Sequence, residues 1–537
     1  MGIPSYFSHI IRNYSNIIRN LKYFNDENIT LHHLFMDCNS IIYDSVRNIE
    51  YNNDDAVFED KVIDNIIEQI ENYISVVQPT KTLFIAFDGV APFAKMEQQR
   101  TRRHKNVFLN QLNFQKEHNK LNTWDTTAIT PGTEFMSKLS KKIEYSFSYI
   151  NKKHNIEDVI VSTSNEPGEG EHKIFEFLRK NDMNMDNVAL YGLDSDLIML
   201  SIFHIHQTQN IYIFREAPEF VKNMLPVNSL YNDKDPYFLD IKLLTSSITD
   251  NMGCIDNNVT RVYDYVFLCF FLGNDFLPHF PAMNIRTHGI DTLLNIYRMY
   301  VGNVTGSSII SEDHNINWRI LRKVIEKIAV KEKDFLLQEY SYRKRFDNYK
   351  FKEDTSEDKE KLFQNTPIIY RSQEKYISPD LDFWEVRYYK SLFKQDVTNE
   401  FVKDVCNNYI EGLEWVFKYY TKGCVDWRWK YNYDYPPLFK DLINFIPHFE
   451  MDFLITNNAL PFHPYTQLSY VLPINNHGLI PDKISKFLKY NYNEYYTDKY
   501  KFEWAFCRYF WESHPVLPRI PLQLLEKWDI QFTMLKM

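Results

Sequence analysis

The sequence predicts an α/β fold, in which a twisted, mainly parallel sheet is flanked by helices, followed by a second, mostly helical region rich in aromatic residues. Short apolar runs alternate with helical patterns through the first half of the chain, as in strand–helix–strand units. Aromatic runs such as EWVFKYY and DWRWKYNY dominate after about residue 380. A charged stretch without turn or strand signals lies between them, so we predict domains over residues 1–320 and 379–537, joined by a helical linker over 321–378.

The composition is typical of a globular protein, with 44% hydrophobic and 25% charged residues among 537. The net charge of −10 offers no overall basic surface, so a nucleic acid would have to be held by a local basic site. The six cysteines form no CxxC pair and no zinc spacing, which predicts a reducing compartment. We find no signal peptide or membrane span, and MGIPSY departs from the myristoylation pattern at Tyr6, so we expect this segment to pack into the protein body.

Apolar periodicity and turn residues predict the elements in order. The predicted strands end at Asp37, at Asp88, before the Pro167–Gly168 turn, at Asp194 and at Glu216. The predicted helices cover residues 2–25 and 60–77, a segment after Pro92, most of 106–150, a segment from about 171, part of 261–272, and the start of 310–375. The connection between the strand ending at Glu216 and about residue 260 is predicted to be irregular.

The stretch from Asn187 to Leu200 holds Asp194 and Asp196 between two apolar runs, VALYGL and LIML. Burying carboxylates among apolar residues costs free energy unless a cation pairs with them, and a hard divalent cation is the best partner. The plainer alternative is that the two acids lie in a solvated turn. The other candidate acids are Asp37, Asp88, Glu169, Glu171 and Asp275. The helix dipole alone would also favour Glu169 and Glu171. Because the strand ends of a parallel sheet converge on one edge, we expect these acids to meet there.

Asp264 is a different case. It lies eleven residues before Asp275, and a continuous helix would separate the two by about 16 Å along its axis. We therefore predict that Asp264 is a residue near a helix start, and that Asp275, after Gly273, belongs to the site.

The helix after Pro92 carries a polar and basic face formed by Lys95, Gln99, Arg102 and Arg103, whose spacing places all four on one side. Its plainer alternative is a solvated face. Crowded carboxylates repel by roughly 1–4 kcal/mol per close pair, and two bound Mg²⁺ or Mn²⁺ ions would remove that repulsion. One ion would activate water and the other would stabilise the leaving oxygen of an in-line displacement at phosphorus.

Long motifs occur in the order found in one nuclease family. They are MGIPSYF, FMDCNSIIY, FDGVAPFAKMEQQRTRR, ITPGTEFM, EPGEGEHKI, YGLDSDLIML, FLCFFLGNDFLPHFP, EGLEWVFKYY, DWRWKY and LPFHPYTQLSYVLP. By these motifs the chain resembles the Xrn family of 5′→3′ exoribonucleases, within the wider group of PIN-like, flap-endonuclease-like nucleases. The resemblance implies that fold and a processive, cytoplasmic, monomeric enzyme without a membrane partner. Its substrate would be single-stranded RNA with a 5′-monophosphate, supplied in mRNA decay by a decapping enzyme, and its products nucleoside 5′-monophosphates.

The resemblance assigns catalytic and metal-binding roles to Asp37, Asp88, Glu169, Glu171, Asp194, Asp196 and Asp275, with two Mg²⁺ or Mn²⁺ ions as cofactor. It assigns the 5′-phosphate pocket to Lys95, Gln99, Arg102 and Arg103, which agrees with the convergence of charge-assisted donors that a phosphate needs. Tyr43 would stack on a terminal base, together with Trp427 or Trp429, for roughly 1–3 kcal/mol each. The plainer alternative for both Trp is the core of the second domain. The family usually has His at the position of Tyr43, so an imidazolium charge is missing there.

The long C-terminal extension of the large cytoplasmic members and the zinc knuckle of many nuclear members are missing from this sequence. The chain thus resembles a reduced catalytic core, and its Asn-, Ile-, Tyr- and Lys-rich composition suggests a large DNA virus, acting in the host cytoplasm, or a compact eukaryotic genome. Two alternatives stay open. A flap-type structure-specific 5′ DNA nuclease would need a duplex-binding hairpin motif that we do not find, and a catalytically inactive RNA-binding scaffold would not need to keep all seven acids.

Overall fold

The computed structural model describes residues 2–112, 124–192, 194–216, 236–256, 258–455 and 459–534. Its strands are β1 (Ile18–Arg19), β2 (His33–Asp37), β3 (Thr82–Ala86), β4 (Asp158–Ser162), β5 (Met183–Tyr191), β6 (Thr208–Arg215), β7 (Tyr237–Asp240), β8 (Phe502–Glu503) and β9 (His514–Pro515). The first seven form one sheet in the order β1-β7-β6-β5-β2-β3-β4. Strands β2 to β6 pair in parallel, and β7 and β1 add antiparallel at one edge. The predicted α/β fold with a mainly parallel sheet is confirmed.

Helices make up most of the remaining described residues. They are α1 (Tyr6–Asn13), α2 (Leu21–Asp26), α3 (Asn39–Asn48), α4 (Asp55–Val77), α5 (Phe93–Leu112), α6 (Glu134–Phe147), α7 (Ile150–His154), α8 (Gly170–Lys180), α9 (Ser195–His204), α10 (Ile241–Met252), α11 (Thr260–Cys269), α12 (Gly289–Tyr297), α13 (Trp318–Lys344), α14 (Ser356–Gln364), α15 (Thr366–Ile369), α16 (Ser372–Ile377), α17 (Trp384–Phe393), α18 (Asn399–Lys422), α19 (Phe439–Leu442), α20 (Pro464–Val471), α21 (Asp482–Asn491) and α22 (Leu522–Met534). Within the described ranges, no helix has both the length and the apolar character that crossing a bilayer would require.

Both faces of the sheet are buried, as is usual for parallel strands. On β2, Leu34 and Met36 belong to one hydrophobic core and Phe35 to another, and strands β3 and β5 alternate in the same way. Helices α3, α4 and α6 cover the first face, whereas α8 to α11 and α18 cover the second. The period of two along each strand therefore divides the apolar residues between two layers of helices.

The aromatic-rich region packs against the helical layer that covers the second face of the sheet. Helix α18 brings Trp415 to 5.0 Å from Phe276, measured between ring centroids, and Tyr420 to 5.4 Å from Phe270. The same hydrophobic core continues from Ile3 to Leu454. Helix α13 runs without interruption across the predicted domain boundary at residue 320. The two predicted regions thus share one core.

Two predicted elements are wrong. The N-terminal helix over 2–25 is divided into α1, the short strand β1 and α2, because Ile18 pairs with Leu239 of β7 at the sheet edge and sheet pairing overrides the local helical pattern. The connection before residue 260 is not irregular in its described part, where β7 and α10 lie. All four residues of β7 are buried. The polar sequence before this strand gives no sign that a buried strand follows.

Candidate active site

Six of the seven candidate acids lie just past the carboxyl ends of β5, β2, β3 and β4, four neighbouring strands. Their positions are Asp37 at the end of β2, Asp88 two residues after β3, Glu169 and Glu171 at the start of α8, and Asp194 and Asp196 at the start of α9. Asp275 approaches from the segment after Gly273, where φ is +85°. The predicted convergence on one sheet edge is what parallel strands produce.

Two glycines let the backbone approach these carboxylates. A Cβ on Gly170 would lie 2.6 Å from Asp37 Oδ1, and the Gly170 N–H donates to Asp88 Oδ1 over 2.7 Å. A Cβ on Gly2, which has a φ of +53°, would lie 2.2 Å from Asp196 Oδ1. Gly2 and Ile3 are both buried, as expected for a segment packed into the body of the protein.

Two tyrosines of α18 also reach the acids. The Tyr419 hydroxyl donates to Glu169 Oε1 over 2.8 Å, and the Tyr420 hydroxyl donates to Asp196 Oδ1 over 2.7 Å. Sequence reasoning missed both, because EWVFKYY is an apolar helical run that predicts only burial in a core. A hydroxyl on a buried ring needs a partner, and that need is the one signal the sequence offered.

Burial and mutual repulsion raise the pKa of several acids. Burial, followed by the charges of Asp88 and Asp194, raises the pKa of Asp37 well above its usual range. Burial, followed by Asp196 and Glu169, does the same to the pKa of Glu171. Burial and the charge of Asp275 raise the pKa of Asp196 to about 6. The cluster therefore concentrates more negative charge than buried carboxylates tolerate without a cation.

Lys95 supplies one cation from the chain itself. Its ammonium contacts Glu169 Oε2 and lies 2.8 Å from Asp275 Oδ2. Burial acts to lower the pKa of Lys95, but Asp275 and Glu169 raise it well above its usual range. Burial conversely acts to raise the pKa of Asp275, and Lys95 holds it below its usual value. Lys95 therefore bridges two of the predicted metal ligands, and it also lines the same pocket as the other residues predicted to bind the 5′-phosphate.

The remaining members of the basic face lie on the same helix, α5. Gln99 Oε1 accepts a hydrogen bond from Gln467 Nε2 over 3.3 Å, and Arg103 Nη2 donates to the Ile129 carbonyl over 3.2 Å. Burial lowers the pKa of Arg103 to about 10, so its guanidinium is still charged at neutral pH. Arg102 is half-buried.

One pocket of about 220 Å³ joins the acids to the basic face. Its lining includes Asp37, Asp88, Glu169, Glu171, Asp194, Lys95, Gln99, Arg102, Arg103 and Tyr43. Carboxylates, guanidinium groups and the Gln99 amide thus line a single cavity. Such a cavity can hold a phosphate by its donors and present the next phosphodiester to cations on the carboxylates.

The two predicted stacking tryptophans lie outside the set of described residues that line this pocket. Trp429 is 8% exposed and stacks on Trp415 with a centroid distance of 5.1 Å. Trp427 is half-buried, and its carbonyl accepts a hydrogen bond from the Phe93 N–H at the start of α5 over 3.2 Å. The alternative that the tryptophans are core residues therefore fits Trp429. Trp427 remains partly accessible, near the start of the helix that lines the pocket.

The donor set fits a hard divalent cation. Asp37 Oδ1 and Glu171 Oε2 are buried without a hydrogen-bond partner among the described residues, and carboxylate oxygens are the ligands that Mg²⁺ and Mn²⁺ prefer. Within the same ranges, no three Asp, Glu, His or Cys side chains form a ready-made metal site. Lys95 stands between two of the acids, so the cluster matches a cation in chemistry and charge and would need side-chain adjustment to coordinate it.

Comparison with protein families matches residues 1–217 to the XRN 5′-3′ exonuclease N-terminus, and residues 256–380 and 381–528 to the Xrn1 helical domain. A Drosophila melanogaster protein named 5′-3′ exoribonuclease 2 homolog is 26% identical, over 98% of this chain and 70% of its own length. The human 5′-3′ exoribonuclease 1 is 26% identical over 97% of this chain and 33% of its own, and the Saccharomyces cerevisiae protein of the same name is 27% identical over 90% and 40%. The chain thus spans a third to about seven-tenths of the length of these relatives.

A solved structure of the catalytic core of Rad2 in complex with a DNA substrate aligns with 66% of this chain and 82% of that chain. The TM-score is 0.32 at 15% identity, too low to support an argument about this protein.

Proposed function

The chain belongs to the Xrn family of 5′-3′ exonucleases, and on that premise we propose that it is a 5′→3′ exoribonuclease acting on single-stranded RNA with a 5′-monophosphate. The pocket shared by the acids and the basic face of α5 carries this proposal, because end recognition and cleavage can take place in one cavity. A 5′-phosphate bound by Lys95, Gln99, Arg102 and Arg103 would hold the first phosphodiester beside the acids. Each cleavage would release a nucleoside 5′-monophosphate and expose a new 5′-phosphate, which favours processive action.

We propose that the seven acids hold two divalent cations, Mg²⁺ or Mn²⁺, which when bound would supply an activated water and stabilise the leaving oxygen. The chain's own side chains would orient the RNA and neutralise negative charge. Lys95, between Glu169 and Asp275, would offset the negative charge around the reacting phosphate. A cavity of about 220 Å³ leaves little room for a triphosphate or a cap, and a 5′-hydroxyl would lack the charge that the guanidinium groups bind.

Tyr43 lines the pocket and is proposed to stack on a terminal base. We assign the second stacking role to Trp427 rather than Trp429, because Trp429 is buried against Trp415. The domain division at residues 1–320, 321–378 and 379–537 is retained as a proposal, with the shared core as its structural context. A cytoplasmic monomer that acts after a decapping enzyme would receive the 5′-monophosphate ends that this pocket suits.

The test uses one RNA with a 3′ fluorophore and a 5′-monophosphate, a 5′-hydroxyl or a 5′-triphosphate, incubated with protein and Mg²⁺, and with EDTA as control. We expect Mg²⁺-dependent loss of the monophosphate form alone, with mononucleotide products and no ladder. Equal cleavage of all three ends, or internal fragments, would contradict the proposed end recognition. A labelled 5′ DNA flap in a parallel reaction separates this activity from that of a flap-type nuclease.

Arg102→Gln tests the phosphate pocket directly. Loss of a charge-assisted contact should raise KM for 5′-monophosphate RNA by about 10-fold or more. Arg100→Gln is the matched control, because Arg100 lies on the same helix but donates to the Pro518 carbonyl over 2.9 Å, away from the pocket. Equal effects of the two variants would assign the loss to the helix rather than to the phosphate contact.

A further inference from the structure

We propose that Tyr419 and Tyr420 are positioning residues, which fix the orientation of Glu169 and Asp196 and thereby set the affinity of the site for its divalent cations. This inference rests on the proposed function, because it takes those two acids as metal ligands. Its basis is a pair of hydrogen bonds from consecutive residues of α18 in the helical region to two acids of the nuclease sheet.

Each tyrosine ring is held so that its hydroxyl has one direction. The Tyr419 ring stacks on His172 with a centroid distance of 3.6 Å and on Trp415 at 4.8 Å. The Tyr420 ring meets Phe270 edge to face at 5.4 Å. Both tyrosines are 1% exposed. A phenol fixed in this way is a preorganised donor, and the carboxylate that accepts from it loses freedom to rotate.

Each hydrogen bond engages one carboxylate oxygen of an acid. Tyr419 donates to Glu169 Oε1, while Oε2 of the same group contacts Lys95. Tyr420 donates to Asp196 Oδ1. Through Tyr419 and Tyr420, the helical region thus acts on the acids themselves.

The test compares Tyr419→Phe and Tyr420→Phe with the wild type, since Phe keeps the ring contacts and removes only the hydroxyl. Tyr388→Phe is the matched control, because Tyr388 is fully buried on α17 and donates to the Pro436 carbonyl over 2.9 Å. Mn²⁺ affinity is measured by calorimetry on the full chain without RNA, and activity is then titrated with Mg²⁺. We expect each site variant to weaken Mn²⁺ binding by about 10- to 100-fold and to shift the Mg²⁺ dependence equally, with KM for RNA at saturating Mg²⁺ unchanged.

The outcomes separate the two proposals. Wild-type Mn²⁺ affinity in both site variants, or an equal loss in Tyr388→Phe, overturns the positioning role, whatever the wild-type enzyme does to RNA. Weakened Mn²⁺ binding in the site variants alone supports the positioning role even if the wild type fails to cleave 5′-monophosphorylated RNA, and that failure would overturn the proposed function alone. A wild type that binds no Mn²⁺ overturns both.

Discussion

At the scale of single residues, Asp264 and Asp275 show what the spacing of residues along the sequence can predict. Helical geometry predicted that the two could not share one metal site, and in the structure Asp264 is buried in α11 away from the other acids. Its carboxylate accepts from the Tyr297 hydroxyl over 2.5 Å and from the N–H groups of Ile309 and Ile310 over 2.9 and 2.6 Å. Spacing could not predict that Lys95 would contact Glu169 and Asp275, because that contact depends on which elements become neighbours in the fold.

Two Asp→Asn substitutions should have opposite effects on stability. Asp37→Asn removes one charge from a crowded acidic cluster, so we expect the free energy of unfolding in EDTA to rise by about 1 kcal/mol or more, with at least about a 100-fold loss of RNA cleavage. Asp264→Asn replaces one of the two accepting oxygens with an NH2 group that faces at least one donor, and it should lower the free energy of unfolding by about 2–3 kcal/mol. Denaturant titration and the RNA assay measure both quantities.

The activity of Asp264→Asn is the control in this comparison. Its folded fraction should cleave RNA at close to the wild-type rate, because Asp264 lies outside the pocket. Loss of stability in Asp37→Asn would show that the acids of the cluster are structurally required, and would contradict the picture of a site that repels itself in the absence of cations.

At the scale of elements, the strand ends and the basic helix were predictable and the sheet edge was not. Strands β2, β3 and β5 carry apolar runs because both of their faces are buried, and their ends are marked by acids. Strand β1 has two residues, and its pairing with β7 depends on a partner more than 200 positions later in the chain. Tyr419 and Tyr420 were hidden for a related reason, since a tyrosine at a core position of a helix has the same local pattern whether its hydroxyl meets a carboxylate or a backbone carbonyl.

The start of α8 should tolerate no side chain at Gly170. Gly170→Ala would place a methyl group 2.6 Å from Asp37 Oδ1, so Asp37 or the helix start must move. We expect a folded protein that has lost at least about 10-fold in RNA cleavage, because the supporting geometry of the acids is disturbed. Thermal unfolding and the RNA assay provide the measurements.

Gly478→Ala is the matched control for that change. A Cβ at Gly478 meets no atom within 4 Å, so the substitution should leave both stability and activity unchanged. Full activity in Gly170→Ala would mean that the close approach of α8 to Asp37 is not needed for catalysis.

At the scale of the whole molecule, the sequence correctly indicated a sheet region followed by an aromatic, helical one. The helical linker predicted over residues 321–378 begins within α13, a continuous helix from Trp318 to Lys344. The high charge of this segment led to the prediction of a domain boundary. However, the buried face of α13, including Trp318, Leu321 and Ile325, belongs to the same core as the sheet. Surface charge and a buried stripe coexist on a long amphipathic helix, so composition alone does not mark a boundary there.

Because the two regions share a core, the full chain should unfold as one unit. We expect urea transitions followed by tryptophan fluorescence and by far-UV circular dichroism to coincide, since Trp415 and Phe276 belong to the same core although they come from different regions. The Tyr388→Phe control should shift both transitions together. Two separated transitions would show that the helical region and the sheet are independent cooperative units.

The hydrogen bonds from α18 to the acids also determine when the site can be completed during synthesis of the chain. A ribosome completes all seven acids and the basic face of α5 before it adds Tyr419 and Tyr420, and domains fold in that direction as the chain emerges. Until α18 emerges and docks, Glu169 and Asp196 lack their phenol donors. An enzyme that consumes RNA is thereby expected to mature only after α18 has been synthesised, and not when its acids and basic helix first emerge.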